Sequence, residues 1–379
     1  MDALRARFTT AEYFAGIGLL RMGLETCGWK VLFADDISPK KYEMYKGFFP
    51  DAADHYIVGD IFDLDPASVP PTLLATCSFP CIDLSLAGNM TGLCGKHSSA
   101  FWGFTRTLKA QAQLAPPLLL VENVPGWLSS NNGADFRTTV QALNQLGYAC
   151  DVFTLDALSF TPQSRLRVFL IGTTLPMPRR GTRLTLGRPS ALLSKRLSKV
   201  LLRNQDLEWF SAEIPAPPPR LTAGLSDMIE HMEDSDSRWW PPHEVERHLA
   251  MMAPSHYGMV RDLIEGDRTV YRTFFRRRRN GQQRVEVRRD DIAGCLRTAV
   301  GGSGKQFLIE AGTGRVRMRA MTPREYARLQ GVADSYDIVT DGTQALTAFG
   351  DAVCVPVIAW IGRHVLRPLA ERSGCTANA

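Results

Sequence analysis

The chain has 379 residues, 45% of them hydrophobic and 22% charged, with a net charge of +5. That length exceeds one compact core of ordinary size and predicts two domains of globular composition. No apolar run of about 18 residues predicts a membrane span, and the N-terminal MDALRARFTTAEYFAGIG lacks the apolar stretch and cleavage site of a signal peptide, so a cytoplasmic location is expected.

The first 175 residues alternate in a βα manner. RFTTAEYFAGIG reads as a strand running into a glycine turn, and LLRMGLETCG as a helix capped at Gly28. KVLFADD is a short buried strand closed by two acids, PKKYEMYKGFF a helix with Pro39 near its start, and YIVGDI a third strand. LLATCSF, PPLLLVENV and RVFLIGT follow as strands. Short apolar strands separated by helical segments predict an α/β fold, a mostly parallel sheet with helices on both faces, which binds ligands at the carboxyl ends of its strands. After LIGTTLPMPRRG the pattern breaks into a Pro- and Arg-rich stretch with PAPPPR as a spacer. Within it SDMIEHMEDSD and PPHEVERHLAMMA read as short helices, and TVYRTFFRRRRNGQQRVEVRR as a hairpin turning at Asn280-Gly281. TPREYARLQGV is a helix started by Thr322 and Pro323, and TQALTAFGDAVCVPVIAWIGRHVL a long helix that packs back on the first sheet. The expected division is a large domain over 1–176, a small basic domain over 177–300, a hinge and return over 301–342, and a C-terminal helix over 343–379 that completes the large domain.

Gly16 and Gly18 of YFAGIG let a backbone turn approach a ligand, with helix N–H groups behind it. Asp35 and Asp36 end the next strand, where a carboxylate accepts ribose hydroxyls, and Asp60 ends the third, where it accepts an adenine amino group. The turn alone is as consistent with a tight structural turn. With the acids at successive strand ends it points to an adenosine-containing ligand. The third glycine of a dinucleotide turn is replaced by Arg21, which disfavours NAD or FAD and leaves S-adenosylmethionine.

The eight cysteines are scattered without a CxxC pair, against both a disulfide framework and a zinc site. In ATCSFPCIDLSLAGN, Cys77 lies inside a strand and reads as packing, whereas Cys81 falls at the strand's carboxyl end as either nucleophile or filler. Glu122 and Asn123 end the apolar run LLLV, where desolvation raises a carboxyl pKa. Arg165 and Arg167 sit two apart, which puts both on one face of a strand, and buried arginines need acidic or phosphate partners. Eight arginines lie between Arg272 and Arg289 against Glu286 alone, reading as a solvated hairpin or a polyanion-binding surface.

YFAGIG, GDI, FPC, ENV and QSRLR occur in this order at strand ends, and together they resemble the motif series of the cytosine-5 DNA methyltransferases. TAVGGSGKQFLIE, TPREYARLQGV and FGDAVCVPVIAWIG resemble that family's closing motifs. The resemblance covers roughly 8–174 and 290–367, and leaves 177–290 for target recognition. It implies a bacterial or phage type of enzyme acting on double-stranded DNA. Cys81 would attack cytosine C6, a protonated Glu122 would steady N3, and Arg165 would hold the base carbonyl or Glu122. The target cytosine would be flipped out of the duplex. No side chain is assigned as the base that removes H5, and water is an option. S-adenosylmethionine would lie on Phe14, Ala15, Gly16 and Gly18, with Asp36 on its ribose, Ile37, Asp60 and Ile61 around adenine, and Pro80, Asp351 and Ala352 near its reactive and methionine ends. DNA would meet Ser85 in a loop from Ile82 to about Phe101, and Asn123, Arg167, Arg276 and Arg277. A monomer is expected, with a cognate restriction endonuclease as a possible companion. Ile82, Leu19 and Asp351 depart from the family's usual Gln, Gly and Asn. Competing readings are an RNA-directed enzyme, since ATCSFPC also contains a Thr-Cys, and a catalytically inactive DNA-binding relative.

Overall fold

The computed structural model describes residues 8–80, 99–177, 187–298 and 304–375. Two compact units result. The first takes the described residues up to Asp156, Leu166–Pro217, and Val357 onward; the second takes Ala157–Arg165 and Pro218–Pro356.

The first unit is built on a seven-stranded sheet. Its strands are β1 (Thr9–Tyr13), β2 (Lys30–Asp36), β3 (Tyr56–Val58), β4 (Leu74–Cys77), β5 (Leu118–Asn123), β6 (Ala149–Asp156) and β7 (Leu166–Thr173), in the order β3-β2-β1-β4-β5-β7-β6. β1 to β5 are parallel; β7 runs antiparallel to both β5 and β6. The sequence pattern does not announce β6, because ACDVFTLD mixes two acids into an apolar strand. Asp151 is accommodated there by the Arg188 guanidinium at 2.6 Å. Chain direction across the sheet reverses between β1 and β4, the switch point at which open α/β sheets leave a crevice at their strands' carboxyl ends.

Helices α1 (Leu19–Glu25), α2 (Pro39–Phe48), α3 (Ala100–Gln111), α4 (Ala134–Gln145) and α5 (Lys195–Arg203) cover this sheet. Ser38 caps α2 by accepting from the Lys41 N–H at 3.3 Å, and Pro39 takes the first turn, where its missing N–H costs nothing. One core gathers Ala11, Tyr13, Phe33, Cys77, Val121 and Trp127, and a smaller one gathers Ala15, Ala34, Tyr45 and Phe49. Leu197, Val200 and Leu201 of α5 join the larger core, so this helix belongs to the first unit although the sequence division puts it in the small domain.

The second unit holds an antiparallel sheet of order β11-β10-β8-β9, made of β8 (Val270–Arg279), β9 (Gln282–Val287), β10 (Phe307–Gly312) and β11 (Arg315–Ala320). The β8–β9 turn sits at Asn280 (φ 50) and Gly281 (φ 76), as the sequence predicts. α6 (Pro242–Ala250) and α7 (Pro254–Ile264) pack on this sheet around Val260, Phe274 and Ile309. α8 (Pro323–Leu329) starts at a Thr322–Glu325 capping box, and Glu325 also pairs with the fully buried Arg319.

Two expected helices differ. SDMIEHMEDSD forms only a single tight turn, Ser226–Met228. The long C-terminal helix is broken: α9 (Gly342–Asp351) stops, and α10 (Val355–Ile361) starts with Pro356 in its first turn, where a proline suits a helix start but not an interior. α11 (Arg367–Cys375) ends the described chain. Its first residue, Arg367, lies over Phe8, and the Cys27 thiol donates to the Ala359 carbonyl at 3.0 Å, which fastens the C-terminus to α1 and β1. By length and composition alone the stretch Gly342–Arg372 would pass for a membrane span, but 72% of its most apolar window is buried inside the protein.

Candidate active site

The turn after β1 is forced into shape residue by residue. Phe14 (φ 60), Gly16 (φ 59) and Gly18 (φ 81) all take the left-handed conformation, which costs a non-glycine residue such as Phe14 free energy. The Gly16 N–H donates to Asp36 Oδ2 at 3.0 Å and the Ser38 N–H to Asp36 Oδ1 at 2.9 Å, so this one carboxylate ties the β1 turn to the start of α2. The Tyr56 hydroxyl donates to the Gly16 carbonyl at 3.0 Å. A side chain at Gly16 would meet only Asp36 and Lys41 at 3.9 Å, so one face of the turn is open to a ligand. Beside it Ile37 is 66% exposed, unusual for an isoleucine next to a buried strand end and suited to a flat apolar ring. Asp60 is exposed, and one of its oxygens accepts from the Phe62 N–H. Ile61 is buried against Gly103 of α3, so it lies under this end of the sheet rather than facing outward.

Strand register places the remaining groups. Tyr13 is level with Asp35 and with Cys77, and Cys77 is level with Val121. Phe14, Asp36 and Glu122 are therefore each one residue beyond a common row, at one end of the sheet. At about 4.8 Å per strand, the β1 turn and Glu122 lie roughly 10 Å apart with the end of β4 between them. Glu122 is nearly buried, and Arg167 Nε of β7 lies 3.2 Å from its Oε1. β4 leads through Phe79 and Pro80 toward Cys81. Cys77 is fully buried, and burial followed by the charge of Asp35 pushes its thiol well above the ordinary range, so it is packing and not a nucleophile at neutral pH.

A model of the C-5 cytosine-specific DNA methylase family matches residues 8–367. The chain belongs to that family. It is similar to the type II methyltransferase M.SsoII of Shigella sonnei, 26% identical over 96% of this chain and 81% of the relative. It is also similar to M.NlaX of Neisseria lactamica, 26% identical over 97% and 98%. Among solved structures it resembles the S. pombe Dnmt2 methyltransferase, with a TM-score of 0.58 at 16% identity over 96% and 99% of the two chains. A putative DNA modification methyltransferase from an E. coli prophage gives 0.55 at 16%, over 96% and 99%. These two establish the fold. The family is one of DNA cytosine-5 methyltransferases that use S-adenosylmethionine as methyl donor, and the β1 turn, with Asp36 and the outward Ile37, fits that molecule.

Several expected site residues have other work in the structure. Arg165 precedes β7, so strand alternation does not pair it with Arg167. Within the second unit its guanidinium donates to the carbonyls of Leu296 (2.7 Å), Gly350 (3.1 Å) and Ala352 (2.6 Å), and it is Arg167 that sits on Glu122. Asn123, expected on substrate, is buried. Its amide donates to the Phe79 carbonyl at 3.2 Å and accepts from the Val124 N–H at 2.8 Å, joining the ends of β4 and β5. Arg276 lies over the Phe307 ring, and Arg277 lies over Phe275 and 3.4 Å from Glu286, so packing and internal pairing absorb part of the arginine run. Asp351 ends α9 in the second unit, and the Ala352 carbonyl also accepts from Gln330 at 3.0 Å. Cys81, Ile82 and Ser85 lie outside the described residues. Phe101, the expected end of the loop from Ile82, is buried on α3.

Sequence reasoning missed three groups. Tyr56 and Ser38 hold the turn through contacts that motifs do not announce. Arg21, read only as a missing glycine, binds Glu25 (2.7 Å), Asp51 (2.9 Å) and the Tyr45 hydroxyl (3.1 Å), and stacks 4.0 Å from the Phe49 ring.

Proposed function

We propose that the protein moves the methyl group of S-adenosylmethionine to C5 of a cytosine flipped out of a specific duplex sequence, through a covalent bond between Cys81 Sγ and C6. The observation that carries this reading is the alignment of the open β1 turn and Glu122 on either side of the β4 end that leads to Cys81. The bound donor supplies an electrophilic methyl on a sulfonium. The Cys81 thiolate adds to C6, and the displaced electron pair makes C5 nucleophilic. Charge that develops toward N3 is met by a hydrogen bond from Glu122, whose orientation Arg167 sets. C5 takes the methyl, H5 leaves to a base, the C6–S bond breaks, and the thiolate is restored. Asp36 binds the ribose and shapes the turn, and Ile37 covers adenine. The second unit reads the target sequence. The protein works as a monomer on DNA in the cytoplasm, and the type II names of its relatives suggest a cognate endonuclease.

Incubation with labelled S-adenosylmethionine and either duplex DNA or tRNA tests the reading. Label in DNA supports it, and label in tRNA alone overturns it in favour of the RNA-directed alternative. Absence of a covalent complex with 5-fluorocytosine DNA would support the inactive relative.

A further inference from the structure

Helix α5, KRLSKVLLR, carries a feature that the reaction leaves unused. Leu197, Val200 and Leu201 are buried in the core of the first unit, while Lys195, Arg196, Lys199 and Arg203 are exposed. Lys195, Lys199 and Arg203 recur every four residues and so lie along one stripe about 12 Å long. Among the described residues none of these three has a carboxylate within ion-pair distance, whereas much of the β8–β9 run is paired: Arg277 and Arg279 with Glu286, Arg272 with Asp291, and Arg288 with Asp290. Lys195 and Arg196 occupy the first turn, which contains no acid. Cations there oppose the helix dipole, at a local cost. Arg196 further donates to the Pro125 carbonyl at 3.3 Å, in the turn Pro125–Leu128 that directly follows Glu122-Asn123-Val124. The stripe is thus fixed beside the chain that leaves the candidate active site.

We propose that this face of α5 is a phosphate-tracking surface, on which Lys195, Lys199 and Arg203 hold the backbone of the DNA duplex flanking the target cytosine. The proposal rests on the DNA-directed reading above. Contacts to phosphate position the duplex and carry affinity, not sequence. The stripe should therefore strengthen binding equally to all sequences and leave the chemical step alone.

The test compares the full chain with Lys195→Gln/Lys199→Gln/Arg203→Gln and with the charge-keeping Lys195→Arg/Lys199→Arg/Arg203→Lys. Binding to a fluorescent random-sequence duplex of about thirty base pairs is followed from about 50 to about 300 mM KCl, alongside methyl transfer to genomic DNA at saturating DNA. Because the Gln variant neutralises three phosphate-binding cations, its slope of log affinity against log salt should be shallower by about 2 to 3. Affinity at low salt should fall at least about tenfold, with kcat unchanged, and the charge-keeping variant should behave as wild type. An unchanged slope in the Gln variant, with wild type binding and methylating DNA, overturns the stripe and leaves the activity standing. Wild type that neither binds nor methylates DNA overturns the activity reading and the stripe with it.

Discussion

Replacing Gly18 by Ala should damage the β1 turn far more than replacing Gly28 by Ala damages its own, although both glycines are left-handed (φ 81 and φ 83). At Gly28 a new Cβ would meet nothing within 4 Å, so only the left-handed penalty applies, about 1 kcal/mol, partly offset by the entropy an alanine removes from the unfolded chain. At Gly18 the same atom would come within 2.4 Å of the Phe49 ring and 2.8 Å of the Tyr45 ring. Neither ring yields freely. The buried Tyr45 hydroxyl is bonded to Arg21 (3.1 Å) and His55 (3.0 Å), and Phe49 supports the Arg21 guanidinium. Overpacking of this kind adds about 1 to 3 kcal/mol, so Gly18→Ala should cost about 2 to 4 kcal/mol and Gly28→Ala about 1 or less. Because relief of the clash moves the β1 turn, S-adenosylmethionine should bind at least about tenfold more weakly to the Gly18 variant only. Urea unfolding followed by circular dichroism, with calorimetric titration of the donor, reads both effects. Equal losses of stability at the two positions would refute the steric argument.

Other consequences follow from the same structure. Glu12, buried on β1, has its carboxyl pushed up to about 8 from an ordinary 4.5 by desolvation, so the stability it contributes is full below about pH 4.5 and lost as pH rises through 8. Glu12→Gln should flatten that decline and melt above wild type at pH 9; parallel melting curves across pH would contradict it. Asp36→Ala removes the acceptor for the Gly16 and Ser38 N–H groups and should weaken donor binding by about ten- to a hundredfold in calorimetry, beyond its effect on melting. Arg165→Ala removes the hydrogen bonds to three buried carbonyls, of which Ala352 keeps Gln330 as a donor, and should cost about 3 kcal/mol in unfolding experiments. Arg167→Ala should instead lower kcat with a smaller loss of stability, and the reverse ranking would restore Arg165 to the site.

Strands ending in Gly, Asp or Asn were legible because a buried parallel strand is a short apolar run with a polar end, as in KVLFADD and LLLVEN. The β1 turn was legible because glycine is the residue that takes φ above zero without strain. Strand β6 was not, since Asp151 is neutralised by Arg188, 37 residues away, and no local pattern records such a partner. That Arg167 lies on Glu122 while Arg165 donates to three carbonyls was hidden for a related reason. Period-two alternation holds only inside a strand, and β7 begins at Leu166. The arginine run was visible as composition, but its pairing with Glu286 and its stacking on Phe275 and Phe307 depend on cross-strand register. Composition also gave no weight to the four cations of α5, which matter because the hydrophobic side of that helix fixes where they point.

Cys81, four residues beyond β4 in the sequence, is proposed to carry methyl transfer to cytosine C5. That role is tested most directly by expressing wild type, Cys81→Ala and Cys77→Ala in a host free of cytosine methylation and mapping methylcytosine by bisulfite sequencing. Methylation is expected in one sequence context with wild type, in the same context at lower yield with Cys77→Ala through reduced stability alone, and nowhere with Cys81→Ala. Folded wild-type protein that modifies no site, or Cys81→Ala that modifies the same sites as wild type, would contradict it.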